Sequence, residues 1–167
     1  MNNLKIIAAL FCIASIYFFS CGDHCKLKVP CSENGACLEG LCYCSDGYEG
    51  ESCDTLSSKK FVGHWKGQEI RYYNSASDTV LSDWTIQTVN TLTTVKITNA
   101  SGNIFNLNLK GNKLTTTNEI VLDSLHIINS GYVSINTKKD TLRAAFDYKA
   151  VGNTAGFYSK SVLRKVQ

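Results

Sequence analysis

The distribution of cysteine constrains this chain of 167 residues more than any other feature. All eight cysteines lie in the first 53 residues, and the rest of the chain contains none. A short cysteine-dense segment buries too little apolar surface to fold unaided, so it relies on disulfides and belongs to an oxidising compartment. The sequence therefore predicts an exported protein in which a small disulfide-rich module precedes a domain that folds without cross-links.

The first twenty residues have the pattern of a targeting segment. Lys5 precedes an uncharged, mostly apolar run from 6 to 19. At about 1.5 Å per residue, this run is too short to cross a hydrocarbon core of roughly 30 Å. The pattern is typical of a signal peptide, which we predict at residues 1–20. A plain secretory signal and an uncleaved anchor are the alternatives to the lipoprotein signal described next.

The end of this run, Ser20-Cys21, resembles the relaxed lipobox of bacterial lipoproteins, in which cleavage exposes a cysteine that is then acylated. Phe18 stands where that box commonly has leucine. Cys12 would leave with the signal peptide, and six of the seven remaining cysteines form a set, so Cys21 is left over. We therefore expect lipidation of Cys21 and a lipid-anchored location at the outer membrane or cell surface.

The other six cysteines are spaced C-x5-C-x5-C-x4-C-x-C-x8-C. Together with the turn Gly47-Tyr48-x-Gly50, this spacing resembles an EGF-like module of the tenascin and teneurin type. We assign residues 21–54 to the lipidated N-terminus and this module. The spacing alone leaves several pairings open. The resemblance implies the disulfides Cys25–Cys37, Cys31–Cys42 and Cys44–Cys53.

The residues of this module argue against a bound metal. Structural zinc sites use C-x2-C pairs, which the set lacks. Calcium takes roughly six to eight oxygen ligands. The stretch before Cys25 offers one carboxylate, Asp23, and the stretch after Cys37 offers no Asp or Asn. We expect no calcium site, no other metal and no cofactor.

Residues 55–60 are polar and are predicted to be a linker to a β domain at 61–167. In that domain apolar and polar residues alternate with period two, which is typical of antiparallel strands with one buried face. Frequent turn pairs indicate a meander that forms a barrel or a sandwich, so the predicted fold class is mainly β. We expect eight or nine strands, at about 61–73, 78–89, 92–99, 103–110, 113–117, 119–128, 131–138, 140–149 and 155–166.

The opening of the β domain resembles the first strand of lipocalins and fatty-acid-binding proteins through its Gly63-x-Trp65 pattern. In that superfamily an arginine of the last strand packs across the tryptophan and closes the barrel floor. The resemblance therefore implies that Arg164 lies against Trp65. The whole layout also resembles small surface lipoproteins of Gram-negative bacteria, which implies export and a role at the cell surface.

Charge divides the chain into two halves. Residues 21–54 carry a net charge of −5, and residues 55–167 carry +7. A basic domain is compatible with acidic glycans, lipid headgroups or nucleic acid. Its lysines, however, are scattered along the chain, as expected for solvated strands and protected sheet edges. We therefore expect no nucleic-acid partner.

Motifs for catalysis are absent, including His-Glu-x-x-His, Gly-x-Ser-x-Gly and the P-loop. Asp123 and Asp140 are expected to be solvated carboxylates. His126 alternates with Leu125 and Ile127 and is expected to point outward. We predict that the protein is not an enzyme.

Three functions remain open. The first is a surface-displayed binding or adhesion module with the EGF-like segment as a spacer, acting on a protein or glycan partner. The second is a lipocalin-like carrier of a small hydrophobic ligand, and the third is a structural envelope protein. A carrier needs a sizeable apolar cavity. Bulky inward residues predict a filled core instead, namely Phe105, Leu107, Leu109, Phe146 and Tyr148.

Overall fold

The computed structural model describes residues 30–89, 91–116, 118–152 and 156–166. The predicted signal peptide, Cys21 and Cys25 lie outside the described residues. Within the described ranges, no helix is long and apolar enough to cross a membrane. The described part of the chain consists of thirteen strands and one short 3₁₀ helix.

The strands form one large antiparallel sheet and two ribbons of two strands each. The ribbons are β1 with β2 and β3 with β4. In chain order, the strands are β1 (Gly35–Leu38), β2 (Leu41–Cys44), β3 (Tyr48–Glu49), β4 (Thr55–Leu56), β5 (Gly63–Tyr72), β6 (Ser77–Thr88), β7 (Thr94–Asn99), β8 (Ile104–Lys110), β9 (Lys113–Thr115), β10 (Ile120–Val121), β11 (His126–Ile135), β12 (Thr141–Ala150) and β13 (Gly156–Lys165).

The large sheet closes into a barrel of eight strands. Successive hairpins connect β5 to β9 and β11 to β13, while the pairs β13–β5 and β9–β11 complete the ring. The short strand β10 pairs with the first part of β11 and extends the sheet there. The prediction of a mainly β, antiparallel meander is confirmed, and of the two architectures left open the chain adopts the barrel.

Inward side chains fill most of the barrel. The expected inward residues Phe105, Leu107, Phe146 and Tyr148 are buried, and Leu109 is partly buried against the same cluster. Alternate positions of a strand point to opposite faces of the sheet, which is why the period-two pattern identified these residues. Other buried members of the core are Phe61, Trp65, Trp84, Ile86, Val95, Ile97, Leu114, Ile128, Val133, Leu142, Ala144 and Leu163.

Residues 55–60 do not form a free linker. Thr55 and Leu56 form β4, which pairs with β3, and the chain continues directly into the 3₁₀ helix Ser57–Phe61. Phe61 is fully buried in the barrel core, and its carbonyl oxygen accepts a hydrogen bond of 2.8 Å from Trp65 Nε1. The helix therefore covers one end of the barrel, here called the closed end. The polar composition of this segment concealed its role, since its single aromatic anchor lies just beyond it.

Strand β11 differs from the two strands predicted at 119–128 and 131–138. It is one strand with a β-bulge between Ile128 and Ser130. The extra residue changes the parity of the strand, so that Ile128 and Val133 both face the core. Gly131 also faces inward, where a Cβ atom would lie only 2.0 Å from the ring of Phe146. Ser130-Gly131, which separates the two predicted strands, therefore follows a bulge within one strand and does not form a hairpin turn.

Residues 30–56, here called the cysteine-rich module, contain disulfides between Cys31 and Cys42 and between Cys44 and Cys53. These are two of the three pairs that the EGF resemblance implies. Cys37 is also disulfide-bonded. Its expected partner lies outside the described residues.

The cysteine-rich module is docked on the closed end of the barrel by charge pairs. Lys60 Nζ lies 2.6 Å from Glu49 Oε2 and donates to Asn112 Oδ1 at 3.1 Å. Lys139 Nζ lies 3.8 Å from the other oxygen of Glu49. The side chain of Lys60 is only 7% exposed, so its pairing with Glu49 is shielded from solvent. Part of the charge asymmetry between the two halves is therefore compensated inside the molecule.

Candidate functional site

The opposite end of the barrel, here called the open end, contains a pocket of about 300 Å³. It is bordered by the loops that follow β5 and β7 and by the neighbouring ends of β11, β12 and β13. A second cavity of about 460 Å³ lies between the cysteine-rich module and the β8–β9 turn. Charged and aromatic side chains converge in the first pocket, which makes the open end the stronger candidate for recognition.

Aromatic rings form the floor and one wall of the pocket. The rings of Tyr148 and Phe157 stack with centroids 4.4 Å apart, and Tyr73 lies 5.5 Å from Phe157. Trp84 and Phe105 lie below them in edge-on contact at 6.4 Å. Burial raises the pKa of the Tyr148 phenol well above its ordinary value, so this hydroxyl stays protonated at physiological pH.

An ion pair with a nearly buried carboxylate and a partly exposed guanidinium lies on the side of the pocket formed by β5. Glu69 and Arg71 are two residues apart on this strand, so both point into the barrel. Glu69 Oε1 accepts a hydrogen bond from Arg71 Nε at 3.3 Å, and Glu69 Oε2 accepts one from Ser82 Oγ at 3.0 Å. The Arg71 guanidinium also lies 5.6 Å from the centre of the Phe157 ring. Partial burial opposes the charge on Arg71, but the Glu69 carboxylate outweighs it and raises the pKa of the guanidinium.

A second carboxylate organises the opposite rim. Asp123 Oδ1 accepts hydrogen bonds of 2.7 Å from the backbone N–H groups of Leu125 and His126. His126 Nδ1 lies 3.1 Å from the same oxygen, and its ring meets Phe157 edge-on at 5.8 Å. Partial burial disfavours ionisation of Asp123, but these hydrogen bonds outweigh it and lower the pKa of the carboxyl. In neutral His126, a proton on Nδ1 would leave Nε2 as an acceptor.

These positions correct two expectations. Asp123 is not an isolated solvated carboxylate, and His126 does not point away from the barrel. His126 shares its face of β11 with the buried Ile128, so it points toward the pocket at the rim. Asp140 does lie in an exposed turn, where hydrogen bonds from Thr141 and Asn136 lower the pKa of its carboxyl.

The predicted contact between Trp65 and Arg164 is replaced by one with the next residue. Arg164 is exposed on the outer face, opposite Lys66 in the strand register. Lys165 is opposite Trp65, and its Nζ lies 5.4 Å from the centre of the indole ring. Neighbouring residues of a strand point to opposite faces, so a difference of one residue decides which cation reaches the tryptophan.

Comparisons with known proteins bear on the two parts of the chain differently. A model of the Teneurin-like EGF domain matches residues 27–55, which confirms the predicted EGF-like module. Comparison with the curated proteins gives no match. Eight chains among the solved structures match. One is a protein of unknown function from the DUF3598 family of Nostoc punctiforme, with 10% identity and a TM-score of 0.41. The alignment covers 75% of this chain and 60% of that protein. A likeness this distant assigns neither a family nor a function to this chain.

No group of three or more His, Cys, Asp or Glu side chains within the described ranges is arranged to hold a metal ion. The expected absence of calcium and of cofactors stays a prediction. The pocket residues Glu69 and Arg71 were missed by the sequence reasoning, although a signal for them existed. Counting in steps of two from the buried Trp65 places both on the inner face of β5, where charged residues are unusual.

Proposed function

We propose that this protein is a non-enzymatic binding module, anchored by lipid at the cell surface, that recognises an extracellular ligand at the open end of its barrel. The position of the pocket carries this proposal. The chain reaches the barrel through the cysteine-rich module, which is docked on the closed end through Glu49 and Lys60. The pocket lies at the other end. A lipid at Cys21 would therefore hold the closed end nearer the membrane and leave the pocket facing outward.

The chemistry of the pocket favours recognition over the transport of a hydrophobic molecule. The middle of the barrel is filled by packed rings, with Phe105 and Phe146 in edge-on contact at 6.0 Å. The remaining space is bordered by Glu69, Arg71 and Asp123. An apolar chain in this space would remove these groups from water without offering them hydrogen bonds, which is unfavourable. A purely structural role does not explain why the Glu69–Arg71 ion pair occupies inward positions at the mouth of the barrel.

The same groups give little support to catalysis. The Asp123–His126 pair is the arrangement nearest to acid–base machinery. Its carboxylate, however, accepts two backbone N–H groups and thereby orders the loop before β11. We therefore assign the pair to shaping the rim.

The proposed anchor is tested by metabolic labelling with a tagged palmitate. The wild-type chain should incorporate the label and fractionate with membranes. Cys21→Ser should lose both properties, because Cys21 supplies the sulfur that is acylated. Equal membrane association of the two forms, with no label on either, would contradict lipid anchoring.

The proposed binding site is tested by applying the mature chain, solubilised in detergent, to an immobilised panel of neutral glycans, acidic glycans and peptides. Tyr73→Ala alters the rim of the pocket, and Tyr132→Ala is a matched control. Both tyrosines are about 40% exposed, and Tyr132 belongs to the outer face of β11. Saturable binding that is lost in the first variant and kept in the second supports the proposal. Absence of binding, or equal binding by both variants, contradicts it.

A further inference from the structure

The charged groups of the pocket already have partners within the protein. Glu69 is paired with Arg71, while the Asp123 carboxylate accepts two backbone N–H groups and lies 3.1 Å from His126 Nδ1. Both carboxylates are therefore hydrogen-bonded without a bound ion. An anionic ligand would be repelled by two carboxylates and attracted by only one guanidinium. A cationic ligand would compete with Arg71 for the Glu69 carboxylate and for contact with the Phe157 ring. The electrostatics favour a neutral ligand.

The polar side chains keep hydrogen-bonding capacity beyond these internal contacts. Arg71 binds Glu69 through Nε and is also hydrogen-bonded to the Tyr73 side chain, and a guanidinium has five N–H donors in all. Asn99 Oδ1 accepts the backbone N–H groups of Ser101 and Asn103, so that its amide NH₂ group is a separate donor. His126 adds Nε2 as an acceptor when Nδ1 carries the proton. A neutral ligand that matches this set has several groups that both donate and accept, which is the property of hydroxyl groups.

The aromatic wall requires that the same ligand also has an apolar face. Tyr73 lies at the rim 5.5 Å from Phe157 and is 42% exposed, so its ring is the accessible part of this wall, while Phe157 already contacts Tyr148 and Arg71. A pyranose ring combines a face of C–H groups with an edge of hydroxyls, and its size suits a pocket of about 300 Å³. We propose that the pocket binds the terminal residue of a neutral glycan, an inference that rests on the proposed binding function of the open end.

The aromatic surface continues outside the pocket. Tyr72 and Tyr158 are the chain neighbours of Tyr73 and Phe157, and they are opposite each other in the β5–β13 register. Their rings lie 6.2 Å apart on the outer side of the rim, and each is 40% exposed. Lys160 Nζ lies 5.8 Å and 5.6 Å from the two ring centres. A glycan that leaves the pocket across the rim would pack its next residues against this pair.

The experiment uses the intrinsic fluorescence of Trp84, which borders the pocket, whereas its partner in the β5–β6 register, Trp65, is fully buried and does not line the pocket. The mature chain is titrated with neutral hexoses, with their linear oligosaccharides, with the matching uronic acids and with short peptides. At least one neutral hexose series should bind. The oligosaccharide should bind about three- to tenfold more tightly than the monosaccharide, and the matching uronic acid about tenfold more weakly.

Three variants separate the two aromatic contacts. Tyr73→Ala should abolish detectable binding of both sugars. Tyr72→Ala should weaken the oligosaccharide by about three- to tenfold and leave the monosaccharide unchanged. Tyr132→Ala should change neither affinity. All three positions are about 40% exposed, so the variants should keep the wild-type circular dichroism.

Other outcomes overturn the inference in distinguishable ways. If uronic acids, amines or peptides bind at a site sensitive to Tyr73→Ala and neutral sugars do not, the glycan inference fails while the proposed binding function stands. If neutral sugars bind equally to the wild type and to Tyr73→Ala, their site is not this pocket. If no member of the panel binds, both the inference and the proposed function fail.

Discussion

The two ends of the barrel are built from different kinds of side chain. The closed end contains Phe61, Trp65 and Leu163, each fully buried, beneath the docked cysteine-rich module. At the open end, the pocket is lined by aromatic residues together with two carboxylates, a guanidinium and an imidazole. Apolar packing is the stronger source of stability, whereas buried charged groups contribute little and are costly when left unpaired.

The difference indicates how the molecule divides its tasks. The closed end follows the rules for a stable core, since Phe61, Trp65 and Leu163 are fully buried in one apolar cluster. The open end departs from those rules at Glu69 and Arg71, which occupy inward positions of the same strand. Departures of this kind are expected where a protein has a function to perform. The comparison therefore predicts large stability effects at the closed end and mainly binding effects at the open end.

The largest effect is expected for Trp65→Ala at the closed end. This change removes a fully buried indole and its hydrogen bond to Phe61, and should lower the free energy of unfolding by about 3–5 kcal/mol. Guanidinium unfolding followed by circular dichroism measures the loss. Tyr73→Ala at the open end should cost less than about 1 kcal/mol, since this side chain is half exposed. Equal losses for the two variants would show that the closed end is not the main source of stability.

A smaller effect is expected when the Cys44–Cys53 disulfide is removed by Cys44→Ser with Cys53→Ser. The bond closes a loop with a sequence separation of 9. Chain entropy then suggests a loss of roughly 2.5–3 kcal/mol for the cysteine-rich module. Thermal unfolding of the mature chain measures it. Because the module is docked on the closed end, binding at the open end should be unchanged, and a large loss of affinity would show that the two ends are coupled.

The parts of the fold that depend on local pattern were predictable from the sequence. Alternation identified inward residues such as Phe105, Leu107 and Phe146, because a strand with one buried face imposes period two on its own residues. The cysteine spacing identified the EGF-like module, because disulfide loops of fixed length leave a fixed pattern. Closure of the strands into a barrel, as opposed to a sandwich, depends on the pairing of β13 with β5 and of β9 with β11. Those contacts join segments distant in sequence.

The features that were missed depend on register or on tertiary contact. The bulge between Ile128 and Ser130 reverses the parity of β11, so counting alternate residues fails there. The 3₁₀ helix Ser57–Phe61 has little apolar character of its own and is held by the burial of Phe61 in a core built from later strands. The pocket combines Arg71, Asp123 and Phe157 from three separate segments. No spacing rule connects residues that only the closed barrel brings together.

A third prediction uses pH to compare Asp123 at the open end with its neutral variant Asp123→Asn. The folded-state pKa of this carboxyl is lowered, so its contribution is present above the unfolded value of about 3.9 and is lost as pH falls through the folded value. At pH 7 the variant should be less stable by no more than about 1 kcal/mol, since the group is partly exposed and screened. Once the pH is below the folded-state pKa of Asp123, the difference should vanish. Chemical unfolding at a series of pH values measures it, and a difference that grows on acidification would contradict the assigned hydrogen bonds.

The smallest predicted effect concerns the register at the closed end. Lys165 lies over the indole of Trp65, whereas its neighbour Arg164 is on the outer face. A cation over an aromatic face at a partly exposed site contributes about 0.5–1 kcal/mol. Lys165→Gln should therefore lower the free energy of unfolding by that amount. Arg164→Gln should change it by less than about 0.5 kcal/mol, because it removes an exposed charge without a packed aromatic partner. Both are measured by the shift of the denaturant midpoint at constant slope. A larger loss for Arg164→Gln than for Lys165→Gln would mean that Arg164 covers the tryptophan, as the lipocalin resemblance implies. The last strand would then be shifted by one residue.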